Sequence, residues 1–245
     1  MKKSKRYIEQ KEKIEDRSYS VAESIDLVKD VSSANFDESI EVHLITSADP
    51  TNADQQLRTV ADLPHGTGKE IKILVFAEGD AAAMAKDNGA DYICDDDMVK
   101  KIEDGWSDFD VAIATPDQMS KIGKLGKYLG RKGLMPNPKT GTVVQPQNIG
   151  QTIQSSRKGR TELKLDSAST IHFNIGKSSF SNDQLTENLK SVIKMIVSAK
   201  PEGIKGRLLK KGSMSRLLLS MYTMIPPVRS DYDKIAIYKN ENEVN

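Results

Sequence analysis

Cysteine is nearly missing from this 245-residue chain, with Cys94 the only one. A lone thiol excludes an intrachain disulfide framework and any zinc site built on cysteines. It fits a reducing compartment. Histidine is scarce as well. His43, His65 and His172 stand at no metal-ligand spacing, so each reads as a core or loop residue and no metal is expected. No run of eighteen apolar residues occurs, which excludes a membrane-spanning helix. An excess of one charge is also lacking. The formal net charge is +1, so composition alone does not announce a nucleic-acid binder. Residues 1–17 hold seven cations and four acids. They have neither the apolar centre of a signal peptide nor the acid-poor composition of a transit peptide, and they read as a charged helical arm or ordering tail.

What is present is charge sorted along the chain. Residues 78–117 carry twelve acids and three lysines, and residues 118–161 carry nine Lys or Arg and no acid. That sorting predicts a domain with one acidic and one basic end, a dipole that turns toward phosphate at near-zero net charge. Within the basic block, residues 129–143 read LGRKGLMPNPKTGTV. Glycine and proline at this density predict a fixed, irregular loop in place of a helix or strand. Arg131, Lys132 and Lys139 make that loop cationic, which suits an RNA surface and equally suits plain solvation.

Hydrophobic periodicity divides the rest. Ser20 and Glu23 have capping-box spacing before a helix over 21–31. Residues 39–46 alternate as a strand, and a polar stretch with Pro50 and Pro64 follows. Buried strands are expected at 71–77 and 109–114, with a short one at 91–94. Helices are expected at 81–88, 98–104, 118–128 and 147–156. Strands alternating with helices predict a mostly parallel sheet covered on both faces. After Gly159 the pattern changes to strands at 161–165 and 170–174 and an amphipathic helix at 182–197. Neither end of the chain is self-sufficient. The expected fold is therefore an α+β first domain, discontinuous over 1–67 and 159–232, with an inserted α/β Rossmann-like domain over 68–158 and a charged tail at 233–245. Gly66, Gly68 and Gly159 at the crossings would permit a two-strand hinge.

Enzyme chemistry finds little support in the residues. Glu78-Gly79-Asp80 follows the first buried strand, where a phosphate loop would be glycine-rich rather than acidic. Gly66-Thr67-Gly68-Lys69 precedes its strand and lacks the Ser or Thr of a P-loop. Asp95-Asp96-Asp97 reads as an acidic helix start. Ser178-Ser179 has no His and Asp pattern to activate it. A nucleotide-binding α/β enzyme remains the alternative reading, without a catalytic residue or cofactor to name.

The string at 129–143 resembles the signature loop of the bacterial-type L-one family of large-subunit ribosomal proteins, with Arg131 where that signature has proline. Other matches follow in order: ANFDES at 34–39, DQQLR at 54–58, LPHGTGK at 63–69, Phe109-Asp110 with Thr115-Pro116-Asp117, IGKSSF at 175–180, and Ala199-Lys200-Pro201 with Lys205-Gly206. The resemblance runs from about residue 7 to residue 206 and implies the same two-domain architecture.

It also implies a function. The family is that of the mobile stalk beside the tRNA exit site. The chain would bind large-subunit rRNA, assist the release of deacylated exit-site tRNA, and repress translation by binding its own mRNA. No catalysis, cofactor or membrane is implied. The ribosome would be that of a bacterial cytoplasm or of a plastid, and the 54–58 and 177–180 segments look closer to cyanobacterial and plastid members. Carried over residue by residue, the rRNA surface includes Phe36 and, near the C-terminus, Thr223 and Met224. Phe36 precedes a strand, where it would pack on a ribose or base, or in the core. Glu162, Lys164 and Asp166 alternate and should share a strand face, with Lys164 toward phosphate and the carboxylates toward bases or 2′-hydroxyls. Lys177 is a further phosphate candidate. The chain departs from the family at RLLLSMY, 216–222, which reads as an insertion, and at Ile225, where the family has glycine. A β-branched residue there would obstruct close RNA approach.

Overall fold

The computed structural model describes residues 8–9, 12–15, 17–31, 36–217 and 228–230. In chain order the elements are α1 (Val21–Asp30), β1 (Ser39–Thr46), β2 (Arg58–Asp62), β3 (Ile73–Phe76), α2 (Asp80–Asp87), β4 (Tyr92–Ile93), α3 (Asp96–Glu103), β5 (Val111–Ala114), α4 (Met119–Lys132), α5 (Ile149–Gly159), β6 (Arg160–Lys164), β7 (Thr170–Lys177), α6 (Asn182–Ser198), β8 (Leu209–Leu217) and β9 (Val228–Ser230). The chain divides into two compact units, Met1–Gly68 with Thr161–Asn245, and Lys69–Arg160.

The discontinuous unit is built on a four-stranded sheet in the order β7-β1-β8-β9. Its strand β1 runs antiparallel to both β7 and β8. Alternation sorts the side chains of β1. Ile40, Val42 and Leu44 are buried, while Glu41, His43 and Ile45 alternate with them on the other face. Ile171, Phe173 and Ile175 of β7 and Met214 of β8 join the same core. Two helices supply its other half, Ile25 and Val28 from α1 and Leu185, Leu189, Val192, Ile193 and Ile196 from α6. A sheet packed on one side in this way leaves its second face for polar groups. Both helices start on capping boxes, Ser20 with Glu23 and Ser181 with Gln184.

The polar stretch after β1 contains a strand that its sequence conceals. Strand β2 pairs with β6 as a separate two-stranded sheet, and only Ala61 of β2 is buried. With one apolar anchor it offers no readable alternation. Just past β6, Leu165 forms an isolated antiparallel bridge with Ile171 of β7.

Where the chain leaves this unit it is held by one buried amide. The Asn188 side chain, fully buried on α6, accepts from the His65 backbone amide at 3.0 Å. It donates to the Gly66 carbonyl at 3.0 Å and to the Ile175 carbonyl at 2.8 Å. Two residues on, Gly68 has φ +70°, and an added Cβ would lie 2.7 Å from Lys177 Cγ and 2.9 Å from Phe180 Cε1. Glycine is required there by conformation and by space.

The continuous unit has a three-stranded parallel sheet, β4-β3-β5. Strand β3 is buried throughout. Leu74 and Phe76 point to one core with Ile102 of α3 and Ile122, Leu125 and Leu129 of α4. Ile73 and Val75 point to another with Ala81 and Ala85 of α2 and Ile149 and Ile153 of α5. Helices therefore cover both faces.

One expectation is corrected here. The 129–143 segment is not all loop. Helix α4 continues through Arg131 and Lys132 and stops at Gly133, whose left-handed backbone (φ 73°) caps it. Leu129 is buried and extends the apolar stripe, while Gly130 sits in open space where the missing side chain costs no packing. The rest of the segment is irregular, with a 3-10 turn at Pro138–Thr140 that carries Lys139. Two ion pairs link the acidic and basic blocks of the sequence: Lys121 pairs with Glu78, and Arg157 pairs with Asp91 at 3.1 Å.

Replacing Asn188 by Leu would remove all three hydrogen bonds, those to the partly buried His65 amide and Gly66 carbonyl and that to the buried Ile175 carbonyl, whose loss alone costs about 1–3 kcal/mol. Urea unfolding of Asn188→Leu should show a loss of about 3 kcal/mol. A loss below about 1 kcal/mol would contradict this role.

Candidate nucleic-acid interface

The open face of the four-stranded sheet gathers polar residues from three strands. Glu41 and His43 of β1 lie opposite Ser215 and Ser213 of β8, and His43 lies directly opposite His172 of β7. The two imidazoles meet through Nδ1 atoms 2.6 Å apart, and the rings are T-shaped. His43 Nε2 contacts Ser215 Oγ at 2.6 Å, and His172 Nε2 contacts Asp166 Oδ2 at 3.1 Å. Burial raises the pKa of Glu41, opposed by His172. Burial first, and then His172, lowers that of His43.

Asp166 stands beyond the end of β6, in the turn that leads to β7. Its carboxylate accepts from the Ala168 and Thr170 amides at 2.8 and 2.7 Å. The Thr170 amide is the main cause that holds its pKa below the usual value, against a smaller opposing effect of burial, with His172 and Ala168 adding to the lowering. Glu162 and Lys164 lie on β6 and are exposed. Glu162 is held by Arg58 of β2 at 2.6 Å.

Phe36 and Lys177 belong to the other end of β1 and β7. Phe36 is half exposed (50%), so core packing does not explain it. The next residue, Asp37, accepts from the Ser178 hydroxyl at 2.8 Å and from the Ser179 amide and hydroxyl at 3.0 and 2.7 Å. Burial opposes ionisation of Asp37, but these donors and Lys177 outweigh it and lower its pKa. Lys177 lies across from Ser39, with Nζ 2.9 Å from its hydroxyl. Thr223, Met224, Ile225 and most of the 216–222 insertion lie outside the described residues.

In the continuous unit, Arg131, Lys132 and Lys139 are exposed. Lys132 bonds to the Ser107 hydroxyl and lies 3.4 Å from the Gly105 carbonyl. Gly66 and Gly159 have positive φ, as Gly68 does. The carboxyl ends of β3 and β4 open on a crevice of about 280 Å³ lined by Glu78, Cys94, Asp95, Asp96 and Lys121 among others. A nucleotide site at this position needs a glycine-rich anion loop, and here carboxylates line the mouth. Burial, then Asp95 and Asp96, push the Cys94 thiol up to about 12, which leaves it un-ionised and unreactive.

Sequence reasoning did not find Arg58, Asp37 or the His43–His172 pair. The outward position of His43 follows from alternation over 39–46. Its partner lies 129 residues away, and no local pattern marks it.

The two units together define a protein of mixed α/β build, with an exposed aromatic, exposed cations and an uncovered polar sheet face. Comparison with known proteins gives the family. The model of the ribosomal protein L1p/L10e family matches residues 28–216. The large ribosomal subunit protein uL1 of Dehalococcoides mccartyi is 51% identical over 219 residues, covering 89% of this chain and 90% of the relative. The protein of that name from Kosmotoga olearia is 43% identical over 236 residues, 96% and 99% of the two chains. That from Chloroflexus aggregans is 46% identical over 216 residues, 87% and 91%. This chain belongs to the ribosomal protein L1p/L10e family, and it is a structural ribosomal protein, not an enzyme. No helix among the described residues is long and apolar enough to cross a membrane.

The lowered pKa of Asp166 has a consequence for stability. The stabilisation is fully present above the ordinary carboxylate value of 3.8 and is lost as pH falls through the lower folded value. Asp166→Asn should therefore be less stable than the parent at neutral pH and equal to it in strong acid, by urea unfolding at a series of pH values. A difference that persists at low pH would contradict the charge-based account.

Proposed function

We propose that this chain is a constituent of the large ribosomal subunit of a bacterium, where the discontinuous unit binds folded rRNA of the mobile stalk. The continuous unit, with Arg131, Lys132 and Lys139, engages deacylated tRNA as it leaves the exit site. Gly66, Gly68 and Gly159 serve as the hinge between them. The family supports the ribosomal reading, and the bacterial sources of the relatives favour a bacterial ribosome over a plastid one.

The observation that carries the rRNA reading is the half-exposed Phe36 at the entry of β1. An aromatic held outside the core beside an open sheet is the group that stacks on a ribose or base. Lys177 stands at the same end of the sheet, and Lys164 is exposed on the second sheet as a phosphate contact. Glu162 and Asp166 accept from bases or 2′-hydroxyls, Glu162 in competition with Arg58. Thr223 and Met224 complete the surface by family resemblance. An mRNA that folds like the rRNA site would compete for it, which is the basis of repression by binding its own message.

Binding of the purified chain to a large-subunit rRNA stalk fragment, measured across a salt series, tests this. Phe36→Ala should weaken binding about tenfold or more, from the loss of one stacking contact worth about 1–3 kcal/mol. Lys164→Ala should weaken it on any sequence and reduce the logarithmic salt slope by about 1. Thr223→Ala with Met224→Ala should weaken it further. Absence of fragment-specific binding, or binding that none of these substitutions weakens, would overturn the proposal.

A further inference from the structure

We propose that Glu41, His43 and His172, on the open face of the four-stranded sheet, form a binding site for one divalent transition-metal ion of the zinc class. The site stands independently of the RNA reading. Its three ligand atoms lie within 4.8 Å of one another. Two come from one strand at positions i and i+2, and the third from the residue directly opposite on β7. A rigid sheet thus supplies all three, with no loop to be ordered.

The bonding of the two imidazoles is compatible with the same arrangement. Asp166 and Ser215 hold the outer Nε2 atoms, at 3.1 and 2.6 Å. A carboxylate only accepts, so it fixes the His172 proton on Nε2 and leaves Nδ1 with a lone pair. A hydroxyl that accepts from His43 Nε2 does the same for His43. Outer partners on the far nitrogen are what orient metal-ligating histidines. The two Nδ1 atoms then face each other at 2.6 Å, a separation that two bare lone pairs do not tolerate without a proton or a cation between them. Tetrahedral coordination at about 2.1 Å places ligand atoms about 3.4 Å apart. The imidazoles would part by about 1 Å or less, and Glu41 would close in by side-chain rotation.

The donor set decides the class. Magnesium and calcium take oxygen ligands, whereas two imidazoles and one carboxylate suit zinc, nickel or copper. Three protein ligands leave a fourth position, on the side where His172 is exposed, for water or a phosphate oxygen.

Titrating Zn²⁺ into the tag-free full chain by calorimetry tests the site, with Co²⁺ as a visible-absorption reporter of tetrahedral geometry. We expect one equivalent bound, and no displacement by equimolar Mg²⁺. His43→Ala and His172→Ala should each weaken binding by about 100-fold or more, and Ser215→Ala, which spares all three ligands, by about tenfold. His65→Ala and Cys94→Ser should bind as the parent does, since His65 is engaged with Glu187 and Cys94 lies in the other unit. Circular dichroism checks that each variant is folded, and Ser215→Ala decides the matter if a histidine variant is not. Absence of saturable Zn²⁺ binding, binding unchanged in Ser215→Ala and both histidine variants, or equal uptake of Mg²⁺ would overturn the proposal.

Discussion

The three hydrogen bonds of Asn188 are the constraint on which the discontinuous unit depends. That unit is assembled from two stretches of chain with a whole second unit between them. Joining distant stretches carries a loop-closure cost that has to be met by contacts across the join. Hydrophobic packing of α6 on the sheet supplies most of the energy but is non-directional. The Asn188 amide supplies direction. It ties the departing backbone at His65 and Gly66 to the Ile175 carbonyl of β7, all from one fully buried side chain. Gly68 then turns the chain against Lys177 and Phe180, where no side chain fits. A buried polar group of this kind costs heavily when unsatisfied, so it favours one arrangement over near alternatives.

That arrangement sets what the sheet can do. With α1 and α6 on one face, every second residue of β1 and β7 is committed to the core, and the residues between are free for other chemistry. They include Glu41, His43 and His172, with Asp166 reaching in from the turn before β7. Phe36 and Lys177 mark the opposite end of the same two strands. A shape-reading RNA surface needs rigid placement of few groups rather than high net charge. On the proposed function, a chain with formal charge +1 would meet that need through exposed cations on strands and through an aromatic kept out of the core. The continuous unit follows a different plan. Its sheet is buried on both faces, and its cations lie along helices and in turns.

Much of this was legible because it is local. The capping box at Ser20 and Glu23, the alternation of 39–46 and the apolar stripe of 182–197 each depend on residues within a few positions of one another. What escaped reading is non-local or marginal. Strand β2 has one buried residue, so its pairing with β6 stabilises it without leaving a pattern. Helix α4 runs past Gly130 because Leu129 keeps the stripe and the glycine faces open space. The pairing of Lys121 with Glu78 and of Arg157 with Asp91 joins residues far apart in the two charge blocks. Asn188 carries no local mark that sets it apart from the other polar residues of α6. The histidines were read as unrelated because strand register, which places His43 against His172, is set by the fold as a whole.

Hydrogen–deuterium exchange of the full chain, with and without a large-subunit rRNA stalk fragment, tests the central claim most directly. The account predicts protection on RNA binding in the segments that bear the proposed contacts, around residues 36–46 and 160–177, with residues 69–114 unchanged. Protection confined to the continuous unit, with the β1 and β7 segments exchanging as in the free protein, would contradict it.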